Sequence, residues 1–193
     1  TPFGFFPFLD NKFIILVRII KKKRKKMMDI LELLKTRRSI REYKSTPVES
    51  EKIEKCLEAA RWAPSASNRQ PWEFLIVKNE EVRKNLAKIH PYAKYVAQSP
   101  VVFVPLTNPE IHQKYHHSDT ALATLQFMIE AHSLGLGTCW AGTIDTDFEP
   151  EIKDLLKIPE HLKVLALVAV GYSDQTRTSS RKSLDSLVHY EKY

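Results

Sequence analysis

The sequence predicts an α+β domain, one layered sandwich of helices on a sheet, and three observations carry that prediction. Two apolar runs without alternation, Val101-Val102-Phe103-Val104 and Val164-Leu165-Ala166-Leu167-Val168-Ala169-Val170-Gly171, read as strands buried on both faces. Helical spacing of apolar residues recurs before and between them, most extensively over 118–134. No repeat, low-complexity tract or linker divides residues 27–193, so these elements belong to one domain with one layered core.

Taken in order, Asp29 opens a first helix with Glu32 at capping-box spacing. Ile30, Leu33 and Leu34 give that helix its period and deliver Arg37-Arg38-Ser39 at its end. Residues 40–43 form a short extended piece closed by Lys44-Ser45-Thr46-Pro47. A second helix covers about 49–60, with Ile53, Cys56 or Leu57, and Ala60 facing inward. Then comes Pro64-Ser65-Ala66-Ser67-Asn68-Arg69-Gln70-Pro71-Trp72, a loop whose prolines fix φ and bias Ala63 out of the helix. Its small hydroxyls and amides suit close approach of a polar ligand, and equally suit a plain helix-to-strand turn. A strand over 74–77 comes next, then a helix capped by Asn79, carrying Val82, Leu86 and Ile89 and stopped by Pro91. Residues 92–98 add a helical turn or two.

The helix over 118–134 has an expected inward face of Ala121, Leu125, Met128 and Ala131 or His132, with Leu122, Phe127 and Ile129 off that stripe. A helix apolar on most sides is central, at a subunit interface, or both. Gly135 and Gly137 close it and lead to a strand over 138–142. A short amphipathic helix spans 149–156, and a central strand 163–172. The polar tail beyond holds Asp174, Gln175, Arg177, Arg181 and Lys182, then a short pattern of Leu184, Leu187 and Val188.

The net charge of +7 dissolves once it is located. Residues 1–26 contain eight Lys and Arg against one Asp, and the rest of the chain contains 22 basic and 22 acidic side chains. The domain is neutral, so its pI is no argument for nucleic-acid binding. Residues 1–26 combine a Pro- and Phe-rich start, an apolar block over 13–20 and the run Lys21-Lys22-Lys23-Arg24-Lys25-Lys26. The block is too short to span a bilayer and Arg18 interrupts it. Its basic residues come after the apolar run, opposite to a secretory signal. The reading is a disordered leader, either upstream or expression-derived, with the natural domain starting at Met27 or Met28. A surface anchor for anionic lipid is the alternative. Cys56 and Cys139 are distant and form no CxxC pair, as expected of small buried hydrophobes in a reducing, cytoplasmic setting. His116 and His117 have only Asp119 nearby, and no second cluster completes a metal shell, so no metal is assigned.

The sequence lacks a G-x-S-x-G elbow, a Walker A motif and a G-x-G-x-x-G fingerprint, and Gly135-Leu136-Gly137 comes after a helix rather than a strand. With five glycines in the chain, a phosphate would be held by side chains. Arg37-Arg38-Ser39-Ile40-Arg41 has the right chemistry: planar guanidinium forks matched to phosphate oxygens, with a short hydroxyl donor between them. Arg181 and Lys182 offer a second clamp. A solvated basic turn is the competing reading.

Three signals stand in order along the chain: Arg37-Arg38-Ser39-Ile40-Arg41-Glu42-Tyr43 after a first helix, Ala63 to Trp72 after a second, and Leu134-Gly135-Leu136-Gly137-Thr138-Cys139-Trp140 after the long helix. Together they resemble the FMN-dependent nitroreductase family in its compact form, across essentially all of 28–182. The resemblance implies a three-layer α/β/α sandwich around a central mixed, mainly antiparallel sheet, in an intertwined homodimer with FMN at the subunit interface. By that resemblance Arg37, Arg38 and Ser39 hold the phosphate and ribityl chain, and Arg41 lies near the N1/O2 edge of the ring. Pro64, Ser65, Ala66 and Asn68 match a loop contributed by the partner subunit. Trp140, Ala141 and Gly142 match the segment beside the ring, and Arg181 a C-terminal phosphate contact. Relatives often carry a second basic residue two positions earlier, where this chain has Ser179.

The implied activity is NAD(P)H oxidoreduction by a ping-pong cycle. Flavin N5 carries the hydride, NADH or NADPH is the co-substrate, and electron-poor acceptors such as nitroaromatics or quinones take the electrons. No protein nucleophile is required. The alternatives are a reductive dehalogenase or flavin-fragmenting member of the same fold, which needs a longer substrate cover than 105–118, and a flavin-binding protein without turnover.

Overall fold

A computed structural model describes residues 29–193, so the expectations for the leader lie outside the described residues. The helices are α1 (Ile30–Thr36), α2 (Ser50–Arg61), α3 (Glu80–Ile89), α4 (His116–Ser133) and α5 (Glu149–Leu156). The strands are β1 (Trp72–Val77), β2 (Val101–Thr107), β3 (Gly137–Gly142), β4 (Lys163–Val164) and β5 (Ala166–Gly171). Short 3₁₀ turns occupy Ala66–Asn68, Lys94–Ala97 and Leu184–Ser186.

The sheet order is β1-β2-β5-β3, with β4 also paired to β2. Every strand pairing is antiparallel; the parallel component is one isolated bridge, Ser39 to Thr138. Strand alternation sorts the core into two layers. Val102, Val104, Leu106, Cys139, Leu167 and Ala169 face one cluster, with Leu86 of α3 and Ile152 of α5. Val101, Phe103, Val168 and Val170 face the other, with Ile53, Cys56 and Ala60 of α2 and Phe127 and Met128 of α4. The result is the expected α/β/α sandwich. All seven residues of β2 are buried, as a strand covered on both faces must be.

Three local expectations change. Asp29 stands at the N-cap of α1 but makes no side-chain cap bond, so the capping box does not close. The buried stripe of α4 is Thr120, Ala123, Thr124, Phe127, Met128 and Ala131, while Leu125 is exposed and Ala121 half-buried. Hydroxyls can sit on this buried face because each has a partner: Thr124 Oγ1 donates to the Thr120 carbonyl at 2.8 Å, and Thr120 Oγ1 to the Pro71 carbonyl at 3.5 Å. The last strand is broken at Leu165, whose N–H donates to the Pro105 carbonyl at 2.9 Å, dividing it into β4 and β5. Leu184 and Leu187 of the tail are exposed.

Two devices position the arginine turn. The 39–44 segment is stitched to the sheet from both sides. Ile40 N–H donates to the Thr138 carbonyl on the free edge of β3, and Lys44 N–H to the Tyr172 carbonyl just past β5. The contact with β3 requires glycine beneath it, since a Cβ at Gly137 would lie 2.7 Å from Ile40 Cγ1.

Candidate functional site

The stitched segment carries the arginine turn to the open end of β3, beside the tail that leaves β5. Arg37, Arg38, Ser39, Arg41, Arg177 and Arg181 line one cleft of about 410 Å³ there, together with residues 178–180. Five guanidinium groups share this cleft, and no carboxylate among the described residues lines it. Arg37 and Arg38 are half-buried, and Arg37 Nη1 and Arg38 Nε are buried with no hydrogen-bond partner among the described residues. Burial, then the guanidiniums of Arg181 and Arg38, pull the pKa of Arg37 below its ordinary value. Donors left unmatched among like charges cost free energy that an anion would recover. The cleft has the chemistry of an anion site, with no counter-charge among its described lining residues.

A second cleft of about 420 Å³ adjoins it, sharing Arg37, Arg38 and Arg177 and bounded by Thr36, His132, 135–138, Ser173, Gln175 and Thr176. His132 lies 2.9 Å from Thr36 Oγ1 through Nε2. Burial first, then Arg37 and Arg38, hold its pKa below the ordinary imidazole value, so the ring stays neutral near neutral pH. Arg181 bends back onto its own segment, donating from Nη1 to Ser179 Oγ at 2.5 Å and to the Ser180 carbonyl at 2.8 Å. Arg41 is exposed, its guanidinium 5.7 Å from the centre of the buried Tyr95 ring.

The Pro64 loop lies elsewhere on the same chain. Ala66 N–H donates to Asp119 Oδ2 at 3.1 Å, Ser65 Oγ accepts from Gln70 N–H at 3.0 Å, and the Pro71 carbonyl accepts from Asn108 N–H at 2.8 Å. Buried Asp119 thus ties the loop to the first turn of α4. Ser67, Asn68 and Gln70 hold positive φ of 53°, 53° and 50°, three left-handed non-glycine residues within four positions. Such residues store strain and concentrate where function requires a fixed backbone.

Of the predicted site residues, Arg37, Arg38, Ser39, Arg41 and Arg181 therefore meet in one cleft. Trp140, Ala141 and Gly142 end β3, whose beginning touches Ser39 through the Thr138 bridge. Pro64, Ser65, Ala66 and Asn68 do not line either arginine cleft. Sequence reasoning missed Arg177, Thr36, His132 and Asp119. Arg177 carried a signal, being four residues from Arg181 in the same polar tail; the other three sat inside helix patterns where only packing reveals them. His116 and His117 have other work: His116 Nδ1 lies 3.0 Å from Thr107 Oγ1 in the core, and His117 faces Asp145 at 3.9 Å.

The sequence profile of the nitroreductase family matches residues 34–94 and 90–172. A protein of Methanothermobacter thermautotrophicus, assigned by inference as an NADH dehydrogenase/NAD(P)H nitroreductase, is 34% identical over 169 residues, which are 86% of this chain and 88% of that one. A Parabacteroides distasonis crystal structure of the same assignment superposes with a TM-score of 0.82 at 30% identity, covering 85% of this chain and 98% of the other. An FMN-dependent nitroreductase from Clostridium difficile superposes with a TM-score of 0.80 at 29% identity, covering 84% and 99%. The profile spans both the arginine turn and the Trp140 strand, on a sandwich of the same build, and the chain belongs to the nitroreductase family.

Proposed function

We propose that the protein is an FMN-dependent NAD(P)H oxidoreductase that reduces electron-poor acceptors such as nitroaromatics or quinones. The observation that carries the reading is the carboxylate-free arginine cleft, with Arg37 Nη1 and Arg38 Nε buried and unmatched. Those two nitrogens and the Ser39 hydroxyl are the donor set a phosphate monoester needs. Arg37, Arg38 and Ser39, with Arg181 on the far wall, would hold the phosphate and ribityl end of FMN. Arg41 would place a cation at the pyrimidine edge of the ring, favouring its reduced, negatively charged form. Trp140, Ala141 and Gly142 would flank the ring. Bound FMN supplies a hydride-accepting and hydride-donating centre at N5, so that NAD(P)H and the acceptor react in turn.

The working form in this reading is a homodimer, with Pro64, Ser65, Ala66 and Asn68 reaching the partner's cofactor. Its support is the exposed apolar surface of Ile30, Leu31 and Leu34 on α1, Leu122 and Leu125 on α4, and Leu184 and Leu187 in the tail. The strained, Asp119-anchored loop gives that contact a fixed shape. The connection from β2 to α4 is short, residues 108–115, which favours an open oxidoreductase site over chemistry needing a long substrate cover. No helix among the described residues is long and apolar enough to cross a membrane. The domain is taken as 27–193, with 1–26 as a leader.

The test is the visible spectrum of the purified protein before and after anaerobic addition of NADH or NADPH. A yellow protein bleached by the nicotinamide and re-oxidised by a quinone is the expected result. A colourless protein that takes up no FMN would sink the proposal.

A further inference from the structure

We infer that Arg177 reads a phosphate on the reductant, so that this protein takes its electrons from NADPH in preference to NADH; the inference rests on the oxidoreductase function proposed for the same clefts. A phosphate monoester brings about −2 charge and three terminal oxygens. Arg37 and Arg38, each with an unmatched guanidinium nitrogen, and Ser39 already line the cleft to answer that demand. Arg181 closes the wall, its Nη1 turned onto Ser179 and Ser180. One guanidinium is then in excess. Arg177 is exposed, enters none of the ion pairs of the described residues, and lines both this cleft and the adjoining one.

Its position between two compartments gives the surplus a use. The adjoining cleft of about 420 Å³ offers room beyond a single phosphate and is lined by residues 135–138 and by polar residues of the tail. NADH and NADPH differ only by a phosphate on the adenosine ribose, so discrimination needs one cation that meets that end of the dinucleotide and nothing at the nicotinamide. An arginine near the ribose is the usual chemistry for a 2′-phosphate, because its planar fork binds two oxygens at once. Among the described residues no carboxylate lines either cleft to accept hydrogen bonds from the unphosphorylated ribose, which is the arrangement that favours NADH.

The experiment uses the FMN-loaded protein and its Arg177→Ala variant. It measures kcat/KM with NADPH and NADH, binding of NADP+ and NAD+ by calorimetry at low salt, and FMN content. Expected is a wild type that favours NADPH roughly tenfold or more, and a variant in which that ratio and NADP+ affinity both fall roughly tenfold. FMN content should stay level, and Arg177→Lys should restore part of the ratio. A wild type with FMN and NADH turnover but no NADPH preference overturns this inference alone, as does an equal loss with both nucleotides. Loss of FMN from Arg177→Ala also overturns it, since Arg177 would then belong to the flavin phosphate. A wild type that binds no FMN overturns the oxidoreductase reading as well.

Discussion

Two sets of arginines are withdrawn from water in this protein, and they are withdrawn differently. Arg83 on α3 is buried and enters no ion pair among the described residues, yet its guanidinium is answered by backbone: Nε donates to the Lys78 carbonyl at 3.3 Å, and Nη1 to the Ala97 carbonyl at 3.1 Å and to the Ser99 carbonyl. Burial lowers its pKa all the same. Arg37 and Arg38 are less buried, but each keeps a nitrogen with no acceptor among the described residues. A buried cation is therefore not in itself the mark of a site. What marks one is a demand that the described residues leave unanswered; by that measure Arg83 is a staple, and the Arg37 turn is the receptor we propose.

The comparison breaks most visibly if the two are exchanged. Arg83→Ala should cost about 3 kcal/mol of stability, because it leaves the buried Ser99 carbonyl and the part-buried Lys78 and Ala97 carbonyls short of a donor. Denaturant titration checks this, and the folded fraction should retain wild-type FMN affinity. Arg37→Ala should do the reverse. FMN affinity should drop by about 2 kcal/mol, roughly thirtyfold, with thermal stability of the cofactor-free protein unchanged or raised. Unchanged FMN affinity in that variant would count against the receptor role.

A smaller effect sharpens the staple. Asn79 Oδ1 accepts from Val82 N–H at 3.0 Å and the Asn79 carbonyl accepts from Arg83 N–H at 3.1 Å. Asn79→Ala should cost about 1 kcal/mol by urea melt and leave FMN binding alone. The smallest effect lies in pH. His132 has a lowered pKa in the fold, so the unfolded chain binds the extra proton first. Stability is therefore full above the ordinary imidazole value of 6.5 and declines as pH falls through it. His116, lowered mainly by burial, adds to the same slope. His132→Gln should flatten part of the loss in melting temperature between about pH 7 and about pH 5. Inorganic phosphate should flatten it in the wild type too, by shielding His132 from Arg37 and Arg38; an identical slope in every case would remove His132 from the account.

How far the sequence alone reveals a residue's role depends on whether that role is local. The unalternating run at Val101, the Asn79 cap and the α5 boundaries are local signals, and the fold agrees with each. The Arg37 turn was legible as chemistry because three donors fall within three positions. The orientation of α4 was not, because Thr120 and Thr124 look polar until their hydroxyls are seen bonded to their surroundings. The break at Leu165 depends on Pro105 across the sheet, and the loop's strain at Ser67, Asn68 and Gln70 on an anchor at Asp119, more than forty positions away. Arg83 carries no signal in the sequence, since nothing in its neighbours announces the Ala97 and Ser99 carbonyls.

Gly137 sets the terms on which the site can be re-engineered. With no side chain there, Ile40 rests directly on β3, and any larger residue would push the arginine turn off the edge that aligns it. Random libraries should return almost no functional replacements at this position, however conservative. In the function we propose, variation that retunes cofactor or nucleotide preference would come from Arg41, Arg177 and Ser179, which are exposed. The platform is closed to drift, and adaptability is confined to the side chains it presents.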